Sequence, residues 1–250
     1  MKLDQKKALI TGGGSGIGKA ICLAFAKEGA DIAVNDIDLK AAEETVNEIA
    51  KIGREGLAVK ADVSQSKEVN QMVENILVKW NKIDILVNNA GIVGAPSGTV
   101  PCTEITDELW HRMLDVHSTG TFYCTRAVLP SMLSQKKGKI INMSSICGVI
   151  GCDACPHYSA AKASIIGFTK ALAKQVVDRG VIVNAIAPGF IDTPGTRSHP
   201  KEELKWMYEA TLLKRWGKAE EIAALAVYLA SSDADFVVGE VININGGAAI

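Results

Sequence analysis

The chain has 250 residues, with 27 Lys+Arg against 28 Asp+Glu, a formal net charge of −1 and a hydrophobic fraction of 48%. This length suits one α/β domain as well as two small ones, and it can bury a large core. The near-zero charge leaves no electrostatic footprint for nucleic acid or an anionic membrane, and the composition excludes disorder over most of the chain.

Lys2, Lys6 and Lys7 precede an apolar run at 8–10 that is too short for a secretory signal. No stretch approaches the ~18 apolar residues of a membrane helix, so a cytoplasmic protein is expected. Short apolar runs at 8–10, 32–34, 57–59, 83–87, 140–143, 181–186 and 241–244 predict strands. Between them, apolar residues at helical spacing predict helices over 16–28, 39–51, 67–80, 109–133, 158–177 and 219–230. Strands alternating with helices imply a parallel sheet with right-handed crossovers. Continuous apolar strands such as Ile85-Leu86-Val87 fit a sheet covered on both faces. The irregular stretch from Gly189 to about Pro200 and the polar helical segment after it, holding Trp206 and Met207, read as a lid over about residues 189–215.

The first strand runs into Thr11-Gly12-Gly13-Gly14-Ser15-Gly16-Ile17-Gly18 and then a helix. Glycines serve where the chain turns sharply and where backbone must approach a pyrophosphate, whose charge the free N–H groups of the helix start then face. Gly12, Gly14, Ser15, Gly16, Ile17 and Gly18 are therefore candidate dinucleotide contacts. Asp36 ends the second strand 18 residues after Gly18, close to the position of a ribose-binding acid. Its carboxylate would repel a 2′-phosphate, and Ser15 and Ile37 supply no cation, so NAD(H) is expected over NADP(H). Asp62-Val63 after the third strand is placed to meet adenine, and Asn88-Asn89-Ala90-Gly91 after the fourth to shape the floor beneath the cofactor.

Six cysteines stand at 22, 102, 124, 147, 152 and 155, mostly in apolar segments, as reduced thiols would. Cys152 and Cys155 form a C-x-x-C pair. Zinc would need two further ligands, and only His157 is near. A redox pair usually opens a helix after a strand, whereas Pro156 follows here. The pair reads as small apolar residues lining a loop, and no metal site is expected.

Tyr158 and Lys162 lie four residues apart in a helical stretch and so share a face. Ser145 follows the fifth strand, 13 residues before Tyr158. A phenol has a reference pKa of about 10. A neighbouring ammonium, with a positive nicotinamide, is expected to favour the phenolate and lower that value. The result is a group that exchanges a proton during hydride transfer, with Ser145 bonding the substrate oxygen.

Together these motifs resemble the short-chain dehydrogenase/reductase family in its compact form. The resemblance spans residues 1–250 as a single dinucleotide-binding domain, through T-G-x-x-x-G-x-G at 11–18, N-N-A-G at 88–91, Ser145, Y-x-x-x-K at 158–162 and Pro188-Gly189. It implies a doubly wound Rossmann-type α/β fold, usually with a seven-stranded parallel sheet. It also implies a homotetramer joined through the helices near 109–133 and 158–177. Lys162 would bind the nicotinamide ribose as well. Pro188, Gly189, Ile191 and Thr193 would lie along the nicotinamide.

One position departs from the family pattern. The segment Val116-His117-Ser118-Thr119-Gly120 carries His117 where the family usually places an Asn that holds a water near the catalytic Lys. An imidazole also bonds water, so His117 is expected to keep the relay and add a titration near pH 6–7. The resemblance places Cys147, Val149, Cys152, Cys155, Phe190, Trp206 and Met207 around the substrate. The expected reaction is reversible hydride transfer between NAD(H) and a partly apolar secondary alcohol or ketone. The nearest alternative is a 3-oxoacyl-(acyl-carrier-protein) reductase, against which Asp36 speaks because NADPH is typical of that reaction. A sugar-nucleotide epimerase lacks support, because no further substrate region follows. A non-enzymatic dinucleotide sensor runs against the intact Ser145, Tyr158 and Lys162.

Overall fold

The computed structural model describes residues 1–92 and 100–249. Its strands are β1 Lys7–Thr11, β2 Asp31–Asp36, β3 Gly56–Lys60, β4 Ile85–Asn88, β5 Gly138–Met143, β6 Val181–Pro188 and β7 Val241–Ile244. They form one seven-stranded sheet in the order β3-β2-β1-β4-β5-β6-β7, and every neighbouring pair is parallel. The helices are α1 Gly16–Lys27, α2 Leu39–Lys51, α3 Ser66–Trp80, α4 Asp107–Leu114, α5 Gly120–Gln135, α6 Ile146–Ile150, α7 Pro156–Val176, α8 Pro194–Arg197, α9 Lys201–Ala210 and α10 Ala219–Ala230.

Two-residue alternation along the strands divides the core into two layers. Ala8 and Ile10 of β1 pack with Ile21 and Phe25 of α1 and Ile222 of α10, while Leu9 packs on the other face with Met72 of α3, Val128 of α5 and Leu172 of α7. Because both faces are covered, the strands are apolar throughout, which is why the sequence shows runs rather than alternation. A buried amide chain crosses the second layer. Asn88 donates to Thr125 Oγ1 at 3.0 Å and to Asn142 Oδ1 at 2.8 Å, and Asn142 donates to Thr169 Oγ1 at 2.9 Å. It ties β4 and β5 to α5 and α7, the elements that carry the site.

The strand order reverses between β1 and β4, and ligands of such sheets bind at the carboxyl ends of strands on either side of that reversal. Three elements differ from the sequence reading. The helix expected over 109–133 is broken by a π-helical turn, Asp115–Thr119, between α4 and α5. A π insertion widens the helix by one residue and leaves the apolar spacing almost unchanged, so periodicity does not reveal it. The five-residue α6 is too short to show a period. The stretch after Gly189 holds α8 and a parallel bridge from Ile191 to Gly217, so it is more ordered than its Gly, Pro and Thr content suggests. No helix of the described residues is long and apolar enough to cross a membrane.

Candidate active site

A cleft of about 420 Å³ opens along the carboxyl ends of β1 to β6. It is lined by Gly12, Ser15, Gly16, Ile17, Gly18, Asp36, Ile37, Asp62, Val63, Asn89, Ala90, Gly91, Pro188, Gly189, Ile191 and Thr193, with Tyr158 and Lys162 at one end. All of these were expected as dinucleotide contacts. Gly14 is the exception, because it turns away and its N–H donates to Asp36 Oδ2 at 2.9 Å. Two glycines are required by the geometry. Gly12 has φ +64, and a Cβ on Gly18 would collide with the Gly12 carbonyl. The Asn89 side chain braces the same loop by donating to the carbonyls of Thr11 at 3.0 Å and Gly12 at 3.1 Å. Thr11 Oγ1 in turn accepts from the N–H groups of Asn89 and Ala90. A narrow glycine cradle at the start of α1, where the first N–H groups of the helix have no intrahelical partner, fits the pyrophosphate of a dinucleotide. The sequence reading missed Arg112, which reaches the adenosine side of the cleft from α4 and approaches Asp62 at 3.7 Å. No local motif marks it, because only the packing of α4 brings it there.

Ser145, Tyr158 and Lys162 converge where this cleft meets a second cavity. Ser145 caps α6, its Oγ accepting the Cys147 N–H at 3.2 Å, so the hydroxyl is fixed at the end of β5. Tyr158 lines both cavities together with Ser145. Lys162 is 4% exposed, and its Nζ donates to the Met143 carbonyl at 2.8 Å and lies 5.7 Å from the Tyr158 ring centre. Burial pushes the Lys162 ammonium down to about 7. The Tyr158 phenol moves the opposite way from expectation. Burial pushes it up, and this outweighs the lowering effect of Ser145. The partly discharged lysine supplies little of the attraction that would favour a phenolate, so the free protein holds a protonated phenol.

His117 sits in the π turn, 2% exposed, and meets the Tyr158 ring edge-on at 5.3 Å between centres. Its Nε2 lies 3.2 Å from the Ile92 N–H and 3.0 Å from the Ile92 carbonyl. Among the described residues its Nδ1 has no partner. Burial, helped by the Lys162 charge, holds the imidazole well below 6.5. The titration expected near pH 6–7 is therefore corrected, and the ring is neutral there.

The second cavity, of about 460 Å³, is lined by Ser145, Cys147, Cys152, Cys155, Tyr158, Phe190, Trp206 and Met207, as the substrate reading had it. Phe190 and Trp206 stack edge-to-face at 5.6 Å. Val149 lies outside the lining, 42% exposed. The rim adds Asp153, His199, Glu202 and Glu203, which the sequence left unassigned. His199 Nδ1 and Glu203 Oε2 are 2.9 Å apart. His199 precedes α9 and Glu203 lies in its first turn, so the pair forms where the chain enters that helix.

A doubly wound sheet, a glycine cradle and a serine–tyrosine–lysine cluster at the end of the cleft define a dinucleotide-dependent oxidoreductase. The family described as enoyl-(acyl carrier protein) reductase matches residues 12–249. A 3-oxoacyl-(acyl-carrier-protein) reductase of Thermotoga maritima is 39% identical, with 100% of both chains covered. One of Synechocystis is 41% identical, covering 98% of this chain and 97% of the relative. One of Staphylococcus epidermidis is 38% identical, covering 97% and 98%. The chain belongs to the short-chain dehydrogenase/reductase family. These relatives overturn the expectation that NAD(H) is preferred. They are named for the reaction in which NADPH is typical, and their similarity takes in the region of Asp36. The fold gives Asp36 another use, since it accepts from Gly14 and, at 3.1 Å, from the Asp38 N–H. Arg112 also brings to this end of the cleft the cation that Ser15 and Ile37 lack.

Proposed function

We propose that this protein reduces the 3-oxo group of an acyl thioester, presented on an acyl carrier protein, to a hydroxyl. The observation that carries the reading is the convergence of Ser145, Tyr158 and Lys162 at the junction of the dinucleotide cleft and an aromatic- and thiol-lined pocket. A reduced nicotinamide, when bound, supplies the hydride. Ser145 orients the ketone oxygen, and Tyr158 donates the proton that the developing alkoxide takes up. Lys162 holds the nicotinamide ribose and, with a pKa of about 7, returns a proton to Tyr158 at neutral pH. His117 acts as a positioning residue that props the Tyr158 ring and fixes the Ile92 backbone.

The similarity of the relatives over nearly their full length supports the thioester substrate. The segment over about 189–215 acts as the lid, anchored where Gly217 donates to the Phe190 carbonyl at 3.0 Å and Asp192 donates to Gly217 at 2.8 Å. A homotetramer is part of the same reading, and Phe122 on α5, 41% exposed, supports that face as its interface. The test offers NADH and NADPH in turn with a 3-oxoacyl pantetheine thioester, its carrier-bound form and simple secondary alcohols. Nicotinamide oxidation with the thioesters is expected, and Tyr158→Phe should lower kcat by about 10²–10⁴-fold. Turnover of the alcohols with none of either thioester would overturn the substrate.

A further inference from the structure

Three of the cysteines come together at the substrate pocket, and the reaction above makes no use of their thiols. Ser145 sets the start of α6, which places Cys147 in its first turn. Gly151, with φ +79, ends that helix and donates to the Cys147 carbonyl at 3.1 Å, so the chain doubles back. Cys152 is then pinned by its N–H to Ser159 Oγ at 2.9 Å. The Cys155 N–H closes a turn onto the Cys152 carbonyl at 3.3 Å. A four-residue turn holds its end Cα atoms within about 7 Å, which matches the reach of a disulfide, about 4.4–6.8 Å. Both residues are half-buried, so small oxidants reach them from the pocket.

Cys147, Cys152 and Cys155 line the same cavity, with the turn holding Cys152 and Cys155 together. The neighbouring Cys147 and Cys155 thiols and the backbone N–H groups of the turn hold Cys152 well below the usual thiol range. Cys147 is pushed up to about 12 and Cys155 is pushed up as well. One thiolate with a thiol neighbour across a tight turn is the arrangement of an attacking and a resolving cysteine. The other thiols are not built this way. Cys22 and Cys124 are buried, and burial pushes both up.

We propose that Cys152 and Cys155 form a hydroperoxide-sensitive disulfide at the mouth of the substrate pocket, which weakens ketone binding while it is closed. In the first step the Cys152 thiolate attacks the O–O bond of a hydroperoxide. An S–O bond forms, the O–O bond breaks, and the alcohol leaves with a proton, so sulfur is oxidised to sulfenic acid and the peroxide is reduced. The Cys155 sulfur then attacks the Cys152 sulfur. The S–S bond forms, the S–O bond breaks, and the hydroxyl leaves as water with the Cys155 proton. A dithiol reverses the sequence by exchange. The effect on ketone binding rests on the reductase reading, but the disulfide does not.

The test treats the reduced, native full chain with a few equivalents of hydrogen peroxide, alkylates the remaining thiols and maps the peptides by mass spectrometry. The peptide holding Cys152 and Cys155 should lose two hydrogen atoms and resist alkylation, while Cys22 and Cys124 stay alkylatable after unfolding. Cys155→Ser should accumulate a Cys152 sulfenic acid that dimedone traps, and Cys152→Ser should leave Cys155 reduced. The oxidised sample should show a KM for the 3-oxoacyl thioester raised several-fold, unchanged dinucleotide affinity by fluorescence, and full recovery with dithiothreitol. Cys152 remaining reduced while exposed Cys102 oxidises, or a bond from Cys152 to any cysteine other than Cys155, would overturn the pair. An unchanged KM in a sample shown to hold the disulfide would overturn its action on the pocket.

Discussion

Replacing Lys162 with Met should inactivate the protein and, below neutral pH, stabilise it. The side chain is 4% exposed, and burial lowers its pKa from 10.5 to about 7. At about 1.4 kcal/mol for each tenfold change in proton affinity, that gap corresponds to roughly 5 kcal/mol against folding while the folded amine is charged. The hydrogen bond to the Met143 carbonyl returns about 1 kcal/mol. Lys162→Met, which keeps the length of the chain without its charge, should therefore be more stable than the parent by roughly 4 kcal/mol on the acid side of neutrality. Between about 7 and 10.5 the unfolded lysine binds a proton that the folded one has released, so the parent gains stability as pH rises and the advantage of the variant shrinks. Urea unfolding of both proteins, without dinucleotide, at several pH values across that window measures the difference. Two stability curves that run parallel with pH would refute the desolvation argument.

Three further outcomes follow from the same geometry. Gly18→Ala drives a Cβ into the Gly12 carbonyl; it should lower dinucleotide affinity at least about tenfold and stability by about 1–3 kcal/mol, read by fluorescence titration and urea unfolding. His117 should show no imidazole titration by NMR between pH 6 and 7, because burial holds it well below 6.5. As pH falls below 6.5 the unfolded imidazole takes a proton that the folded one refuses, so the parent loses stability there. His117→Asn should lose less in the same urea series. Finally, ketone reduction needs the Tyr158 phenol and alcohol oxidation needs its phenolate, so the raised phenol should place the oxidation optimum at higher pH than the reduction optimum. Coincident optima in the two directions would contradict that assignment.

The residues readable from sequence are those whose chemistry is local. The glycine cradle is legible because close backbone approach demands glycine at Gly12 and Gly18 wherever the rest of the fold lies. Tyr158 and Lys162 are legible because one helical turn brings them to one face regardless of tertiary packing. The alternation of strands and helices gives the doubly wound sheet because each strand is apolar on both faces. The π turn at His117 escapes, since an inserted residue alters backbone hydrogen bonding without altering residue type.

What sequence misjudges is the balance between charge and burial. Tyr158 next to Lys162 looks like a phenol activated by an ammonium, and the spacing is right. Burying Lys162 to 4% exposure discharges much of that ammonium instead, and the phenol keeps its proton. Asp36 shows the same error at the other end of the cleft. A lone carboxylate after β2 looks like a cofactor selector until Gly14 is seen on one of its oxygens and Arg112 across the cleft. The thiols are legible in sequence only as small residues lining a loop, and it is Gly151 that folds Cys152 and Cys155 back to the pocket that Cys147 also lines. In each case the residue identity sets which protonation states are available, and its neighbours across the fold choose among them.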